Sequence, residues 1–217
     1  MQLEQQETFE IKGPQLEVFG EVESKLPAPV KKKPVAAGFL VVLALLSVFG
    51  IGGAKLKGQY QNTMEIYTSV VDEYGNGIQT DFDAQADAAA NLIRAADKVM
   101  GEHSGSYAAY AQECLDVWND TPRTPAAQYV ANKALYGAVD TLYNTAEWRQ
   151  QESDSSWKQI EGLYQDFVSC QSTISRATAN DYNPAAQKYN KTTSGFPANL
   201  IGTVWGVGEI EQFAAPQ

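Results

Sequence analysis

Histidine and cysteine are scarce in this chain of 217 residues, which contains one histidine and two cysteines. Four-cysteine zinc sites, multi-histidine metal centres and disulfide-stapled miniproteins all need more of these residues. The sequence also lacks a Gly-rich phosphate loop and a G-x-S-x-G nucleophile motif. These absences exclude most enzyme classes that motifs identify. We therefore predict no catalytic residue, no cofactor and no metal, and interpret the chain as non-enzymatic.

Basic residues are few as well. Sixteen Lys and Arg stand against 26 Asp and Glu, and the net charge is −10. An acidic surface repels the phosphate backbone of nucleic acids, so we expect no nucleic-acid partner. The hydrophobic fraction of 44% is ordinary for a globular protein and argues against a wholly disordered chain.

Charge is absent altogether from the run between Val35 and Ala54, VAAGFLVVLALLSVFGIGGA. A helix of 20 residues spans about 30 Å, which matches the hydrocarbon core of a bilayer. The alternative is a cleaved signal peptide, for which Gly52 and Ala54 would be the small residues before the cleavage site. Because 34 residues precede the run, we favour a retained transmembrane helix at 35–54.

Lysines on the two sides of this run predict its orientation. Lys25, Lys31, Lys32 and Lys33 precede it, whereas only Lys55 and Lys57 follow closely. The excess on the N-terminal side favours a cytoplasmic N-terminus and a C-terminal domain outside the cytoplasm. We therefore expect a single-pass protein of the inner (cell) membrane with residues 55–217 extracytoplasmic, or periplasmic. Residues 58–217 carry nine Lys and Arg against 20 Asp and Glu, a net of −11.

Residues 1–34 form the predicted cytoplasmic tail. Four prolines interrupt any helix there, and no apolar period lasts more than two turns, so we expect disorder. The alternative is a short docking segment for a cytoplasmic partner, formed by Phe9, Ile11, Leu16, Val18 and Phe19.

Beyond the apolar run, hydrophobic residues recur with helical spacing. The first stripe predicts one long helix and comprises Ile66, Val70, Tyr74, Ile78, Phe82, Ala86, Ala90, Ile93 and Met100. Within it, the segment YGNGI at 74–78 is typical of a turn, and we interpret it as a kink in that helix.

Three more helices follow by the same criterion. The second covers Ser106 to Trp118, and the third begins after an N-cap at Thr124 and ends near Trp148. The predicted core face of the second helix comprises Tyr107, Ala111, Cys114 or Leu115, and Trp118. That of the third helix comprises Ala127, Val130, Ala134, Ala138 and Leu142. In the fourth helix a seam steps by three and four: Ile160, Leu163, Phe167, Cys170, Ile174 and Ala177. The sequence thus predicts an all-α domain, an antiparallel four-helix bundle of long helices at 55–217.

Few side chains suit chemistry. His103 is alone and is interpreted as a surface or helix-terminal residue. Cys114 and Cys170 lie on apolar stripes, either as free thiols or as a disulfide. Asp83 and Asp87 share a helix face, which we interpret as solvated acidic surface, because no calcium-loop pattern surrounds them.

The most specific motif lies near the C-terminus. Tyr182-Asn183 and Tyr189-Asn190 recur seven residues apart and therefore share a helix face. Phe196-Pro197, Asn199 before an apolar pair, Gly206 and a late Phe213 follow. This order resembles the tail of the LemA family, whose members have one N-terminal transmembrane helix and a four-helix bundle. The chain departs from the family pattern at Ala84-Gln85, where a pair of arginines is usual, and at Pro184.

We interpret the motif as a fold signature. The tyrosine rings are expected to bury against the first helix, while the asparagine amides satisfy backbone groups near the Phe196-Pro197 turn. Pro184 predicts either a kink or a fresh helix start with Asn183 as N-cap. The alternative is a ligand groove formed by Tyr182, Tyr189, Asn190 and Trp205.

The resemblance implies an architecture but no reaction. The leading hypothesis is a membrane-anchored protein whose helical domain scaffolds or binds another envelope component. Its expected partners are the lipid bilayer and either further copies of the chain, as a homo-oligomer, or another envelope protein. The alternative function is an extracytoplasmic sensor of a small ligand.

Overall fold

The computed structural model describes residues 33–100, 105–145 and 155–213. By the density of its internal contacts the chain divides into two units, Met1–Gly52 and Gly53–Gln217. His103 and nearly all of the predicted tail lie outside the described residues.

In the first unit, helix α1 covers Lys33–Leu46, and a π-helical turn follows at Ser47–Ile51. One helical stretch, Pro34–Thr68, is long and apolar enough to cross a membrane. None of the residues in its most apolar window is buried. Large aliphatic side chains such as Leu40 and Ile51 are therefore exposed, which is unfavourable in water and favours apolar surroundings.

Helix α2 begins at the unit boundary and covers Gly52–Thr68. The following helices are α3 at Ile78–Met100, α4 at Gly105–Asp120, α5 at Pro125–Asn144 and α6 at Ser155–Ala177. A π-helical turn at Thr178–Tyr182 precedes α7 at Asn183–Thr193, and α8 covers Ala198–Trp205. No strand occurs in the described ranges, and the predicted all-α class is confirmed.

A loop separates α2 from α3, so the prediction of one kinked helix through this region is wrong. The Asp72 carboxylate accepts hydrogen bonds from the backbone N–H groups of Tyr74 and Asn76, both at 2.9 Å. Gly75 adopts a φ of 84°, which a residue with a side chain rarely takes. Hydrogen bonds from Asn76 also hold the pKa of the Asp72 carboxyl below its ordinary value. The Asn-Gly signal therefore marks a turn that ends one helix and begins the next.

Helix α3 packs mainly along α6, and α4 packs along α5. Ring contacts give the relative direction of α5 and α6: Tyr136 stacks on Phe167 with 5.6 Å between ring centroids, and Tyr143 stacks on Tyr164 at 3.7 Å. Residue numbers rise along one helix while they fall along the other, so the two helices are antiparallel. Such pairs are the neighbours expected in a four-helix bundle, whose complete arrangement stays a prediction.

The seam predicted for α6 faces the core at three heptad-spaced positions. Ile160, Phe167 and Ile174 have exposed fractions of 1% or less. Leu163 and Cys170, the intervening members, are only half-buried. Helix α6 therefore buries a narrower stripe than the sequence predicts.

The predicted core face of α5 is wrong in its N-terminal half. Val130 and Ala134 are exposed, whereas Gln128 and Asn132 are buried. The C-terminal half follows the prediction, because Ala138 is buried there as expected. A pattern built on apolar residues alone misses this face, because two of its buried positions are amides.

These amides belong to a buried polar layer, which also explains their burial. Its members are Tyr67, Gln79, Gln85, Gln128, Asn132 and Gln171. The Gln128 Oε1 atom accepts hydrogen bonds from the Tyr67 hydroxyl at 2.7 Å and from the Gln79 amide at 2.9 Å. The Asn132 side-chain amide donates to the Gln85 Oε1 atom at 2.6 Å. The Gln85 side-chain amide in turn donates to the Oε1 atom of Gln171 on α6. Buried amides that bond one another avoid the desolvation penalty that excludes unpaired polar groups from cores.

The remaining candidate side chains are structural or solvated. Both cysteines are free thiols, Cys114 buried in α4 and Cys170 half-buried in α6. Burial raises the pKa of the Cys170 thiol, which disfavours the reactive thiolate. Asp83 and Asp87 are exposed, and Asp83 forms a surface ion pair with Arg123 at 2.9 Å.

Candidate functional site

The paired Tyr-Asn motif begins where α6 gives way to α7. The π-helical turn Thr178–Tyr182 joins the two helices, and Asn183 keeps helical angles of φ −60° and ψ −42°. Asn183 is therefore not an N-cap, and the predicted fresh start is wrong. Because Pro184 lacks an N–H donor, one helical hydrogen bond is missing, and the wider π turn lies where that bond would be lost.

Each asparagine of the motif forms a two-way clamp on the backbone of the segment at 210–213. The Asn183 amide donates to the Phe213 carbonyl at 2.8 Å, and its Oδ1 accepts from the Phe213 N–H at 2.9 Å. Asn190 does the same with Ile210, with both distances 2.8 Å. We had expected these amides near the Phe196-Pro197 turn. They instead satisfy an extended segment that has no helical partners of its own.

The tyrosines of the motif contact α2 from the same side. The Tyr182 ring lies 4.8 Å from that of Tyr67, and the Tyr189 ring meets Tyr60 edge to face at 5.7 Å. The Tyr182 hydroxyl donates to the Glu211 carbonyl. Burial raises the pKa of Tyr182 far above its ordinary value, so this hydroxyl stays protonated and available as a donor.

Tyr189 differs from Tyr182 in one respect. Its hydroxyl is buried, and within the part of the chain that the structure describes it has no hydrogen-bond partner. Burial raises its pKa too. An unpaired buried hydroxyl costs free energy that a phenylalanine ring at the same place would avoid.

The clamped segment ends in an aromatic core. Phe213 lies 5.3 Å from Tyr129 and 5.6 Å from Phe82, which in turn lies 4.9 Å from Trp118. Tyr67 completes the group at 6.3 Å from Phe213. The Tyr-Asn motif therefore positions a side chain that packs against α2, α3 and α5.

The second half of the motif lies at the start and at the end of α8 and is exposed. Phe196, Pro197 and Asn199 are exposed, and the Asn199 side chain accepts a hydrogen bond only from the neighbouring Leu200 N–H. Gly206 ends α8 with a left-handed φ of 66° and donates its N–H to the last turn. The motif thus has two parts, an inward clamp and an outward helix.

The four residues of the predicted ligand groove do not surround one cavity. Asn190 borders a cleft of about 420 Å³ together with Asn199 and Thr203. Tyr189 borders a different cleft of about 250 Å³ that also contains Lys188. Tyr182 is bonded to the C-terminal segment instead. The small-ligand sensor stays a prediction.

Sequence reasoning missed the partners of the motif rather than the motif itself. The backbone groups at 210–213 carry no sequence signal for pairing with a side chain. The glutamines of the buried polar layer were missed as well, because polar side chains are normally predicted to be exposed. A signal for them existed: Gln128 and Asn132 are four residues apart and interrupt an otherwise apolar face.

Among the described residues, no group of three or more His, Cys, Asp or Glu side chains could hold a metal ion. No protein-family model matches the chain, and no curated protein or solved structure matches it either. The resemblance to the LemA family therefore rests on the motif residues.

We predict opposite effects for two conservative substitutions. Tyr189→Phe removes a buried hydroxyl without a described partner, and the free energy of unfolding should rise by about 1 kcal/mol. Tyr182→Phe leaves the Glu211 carbonyl unpaired and should lower it by about 1–2 kcal/mol. Denaturant titration of the full-length protein in detergent, followed by near-ultraviolet circular dichroism, measures both. An equal loss in the two variants would show that the Tyr189 hydroxyl is bonded.

We further predict that the asparagine clamps hold the C-terminal segment in place. Asn190→Ala breaks two hydrogen bonds and should cost about 2–3 kcal/mol, with faster hydrogen exchange at the Ile210 amide. Asn199→Ala is the matched control, since this residue is exposed and its side chain accepts a hydrogen bond from the adjacent Leu200 N–H, so the change should alter stability by less than about 0.5 kcal/mol. Unchanged exchange at Ile210 in the Asn190 variant would contradict the clamp.

Proposed function

We propose that this chain is a LemA-like single-pass membrane protein whose helical domain lies outside the cytoplasm. There it binds or scaffolds another envelope component, or further copies of itself, and catalyses no reaction. The unburied, most apolar part of the helix Pro34–Thr68 supports the membrane anchor. The lysine excess before that helix supports the orientation.

The observation that carries the binding role is a second apolar stripe on α4. One stripe faces the core and consists of Ala108, Ala111, Leu115 and Trp118, all buried. A neighbouring stripe, at 107, 110, 114 and 117, has the same three-four-three spacing. In this outer stripe Tyr110 and Val117 are 56% and 55% exposed.

The outer stripe has the features of a contact surface for another helix. Its spacing is that of a coiled-coil seam, in which apolar residues of one helix insert between those of a partner. Tyr107 and Tyr110 bring aromatic rings, which are enriched in protein interfaces. Tyr107 is predicted to face the core, but it is exposed, so that prediction is wrong. Cys114, in the middle of the stripe, is buried, so the exposed apolar surface consists of Tyr107, Tyr110 and Val117.

A second copy of the chain or another envelope protein would cover this stripe. The domain around it is acidic, with a net charge of −11 over residues 58–217. Apolar contacts between copies must therefore outweigh charge repulsion, and association should strengthen as salt screens that repulsion. A nucleic acid is disfavoured by the same charge.

Photo-crosslinking in native membranes tests the binding role. A photoreactive amino acid at position 110 should yield a crosslinked product, and the same amino acid at Val130 should not, although Val130 is 68% exposed. A product of twice the mass identifies self-association, and any other mass identifies a different partner. Val117→Lys should weaken crosslinking from position 110 by about thirtyfold, the effect of losing one interface hot spot. Equal products from both positions would contradict the proposal.

Topology is tested separately. Protease added to spheroplasts should digest residues 58–217 and leave the N-terminal tail protected. Replacing Lys31, Lys32 and Lys33 with glutamine leaves Lys25 against Lys55 and Lys57, and should produce a mixture of orientations. Protection of the helical domain in the unaltered protein would reverse the proposed orientation.

A further inference from the structure

Helix α8 packs on the first residues of the second unit. The Trp205 indole lies so close to Gly53 that a Cβ atom there would be 1.8 Å from the indole nitrogen. One turn earlier on α8, a Cβ on Gly202 would lie 3.5 Å from the Leu56 side chain. Gly53 and Leu56 thus provide the surface on which α8 rests.

The opposite side of α8 is apolar and uncovered. Phe196, Leu200 and Val204 recur every four residues and are 83%, 48% and 64% exposed. No charged residue occurs between Lys191 and Glu209, a stretch of 17 residues in a chain with a net charge of −10. Leu200 and Val204 share one face of α8, and the exposed Phe196 lies just before the helix; three large exposed apolar side chains in an uncharged stretch are unusual for a segment that faces water.

Connectivity places this helix beside the bilayer. Gly53 and Ala54 are the last two residues of the uncharged run, and Leu56 follows Ala54 by about 3 Å of helix rise. The polar headgroup layer is about 5–7 Å thick on each side of the hydrocarbon core. A helix packed on Gly53 and Leu56 therefore lies within the depth of that layer.

The chemistry of the surrounding side chains fits the same place. At the level of the headgroups the amphipathic ring of Trp205 is favoured. Lys55 and Lys57 are exposed in the first two turns of α2, where they can contact lipid phosphates. Phe196 lies just before this short helix and Trp205 at its end, and aromatic residues, tryptophan above all, are enriched where a protein meets the membrane interface.

We infer that α8 is a membrane-surface helix, which inserts Phe196, Leu200 and Val204 into the headgroup region of the bilayer that holds the chain's own apolar helix. This inference rests on the membrane anchor of the proposed function. It adds a second lipid contact, about 150 residues further along the chain than the first.

Depth-dependent quenching in lipid nanodiscs tests the inference on the full-length chain. An environment-sensitive fluorescent amino acid is placed at Val204, at Val130 as the equally exposed control valine, or at Leu43 within the apolar helix. Separate nanodiscs contain lipids with a nitroxide at the top or in the middle of the acyl chain, because Leu43 lies about 12 Å of helix rise inside the run that begins at Val35. We expect the probe at 204 to be quenched at least about threefold more strongly than the probe at 130.

The outcomes separate the inference from the proposed function. Quenching at 43 with none at 204 would overturn the surface helix and leave the anchor standing. No quenching at 43 would overturn both. The probe at 204 could also be shielded from water without being quenched by the lipids, in nanodiscs that hold a single copy of the chain. That result would overturn the inference in favour of a protein contact. Phe196→Ser with Leu200→Ser, both at exposed positions, should reduce the quenching at 204 about threefold or more.

Discussion

An extended peptide at the edge of a helical domain has N–H and C=O groups that no helix can satisfy, and burying them unpaired would cost several kcal/mol. Here the side chains of Asn183 and Asn190 satisfy these groups in both directions. An amide side chain has the same donor and acceptor as a peptide group, so each asparagine replaces a neighbouring strand. The position of the C-terminal segment and that of the Phe213 ring in the aromatic core both depend on this pairing.

The pairing also explains the tyrosine beside the first asparagine of the motif. With the segment held at Ile210 and Phe213, the chain between them passes close to Tyr182, whose hydroxyl bonds the Glu211 carbonyl. Phe213 then reaches the rings of Phe82 and Tyr129. Helix α7, the C-terminal segment and α2 are thereby joined through side chains rather than through a sheet or a long helix interface.

Much of the fold could be predicted from the sequence, because apolar periodicity reports burial directly. The uncharged run, the heptad-spaced core residues of α6 and the all-α class follow from it. The N-terminal face of α5 could not, since Gln128 and Asn132 are buried through bonds to partners elsewhere in the chain. The loop at 69–77 is not predicted for a different reason. The sequence contains a turn signal there, but the helical spacing of apolar residues on both sides of it predicts a continuous helix. In the candidate site, the residues were found from spacing, whereas their backbone partners have no identity that a sequence can show.

The contacts of α2 also bear on how the protein is made. Tyr60 and Tyr67 leave the ribosome well before Tyr189, which is 122 residues after Tyr67. At about 5–20 residues per second, the aromatic face of α2 waits roughly 6–25 seconds for the helix that covers it. During that interval these rings are exposed, on a segment that directly follows the apolar run. The order of synthesis therefore leaves apolar surface of α2 uncovered until the C-terminal third of the chain is made.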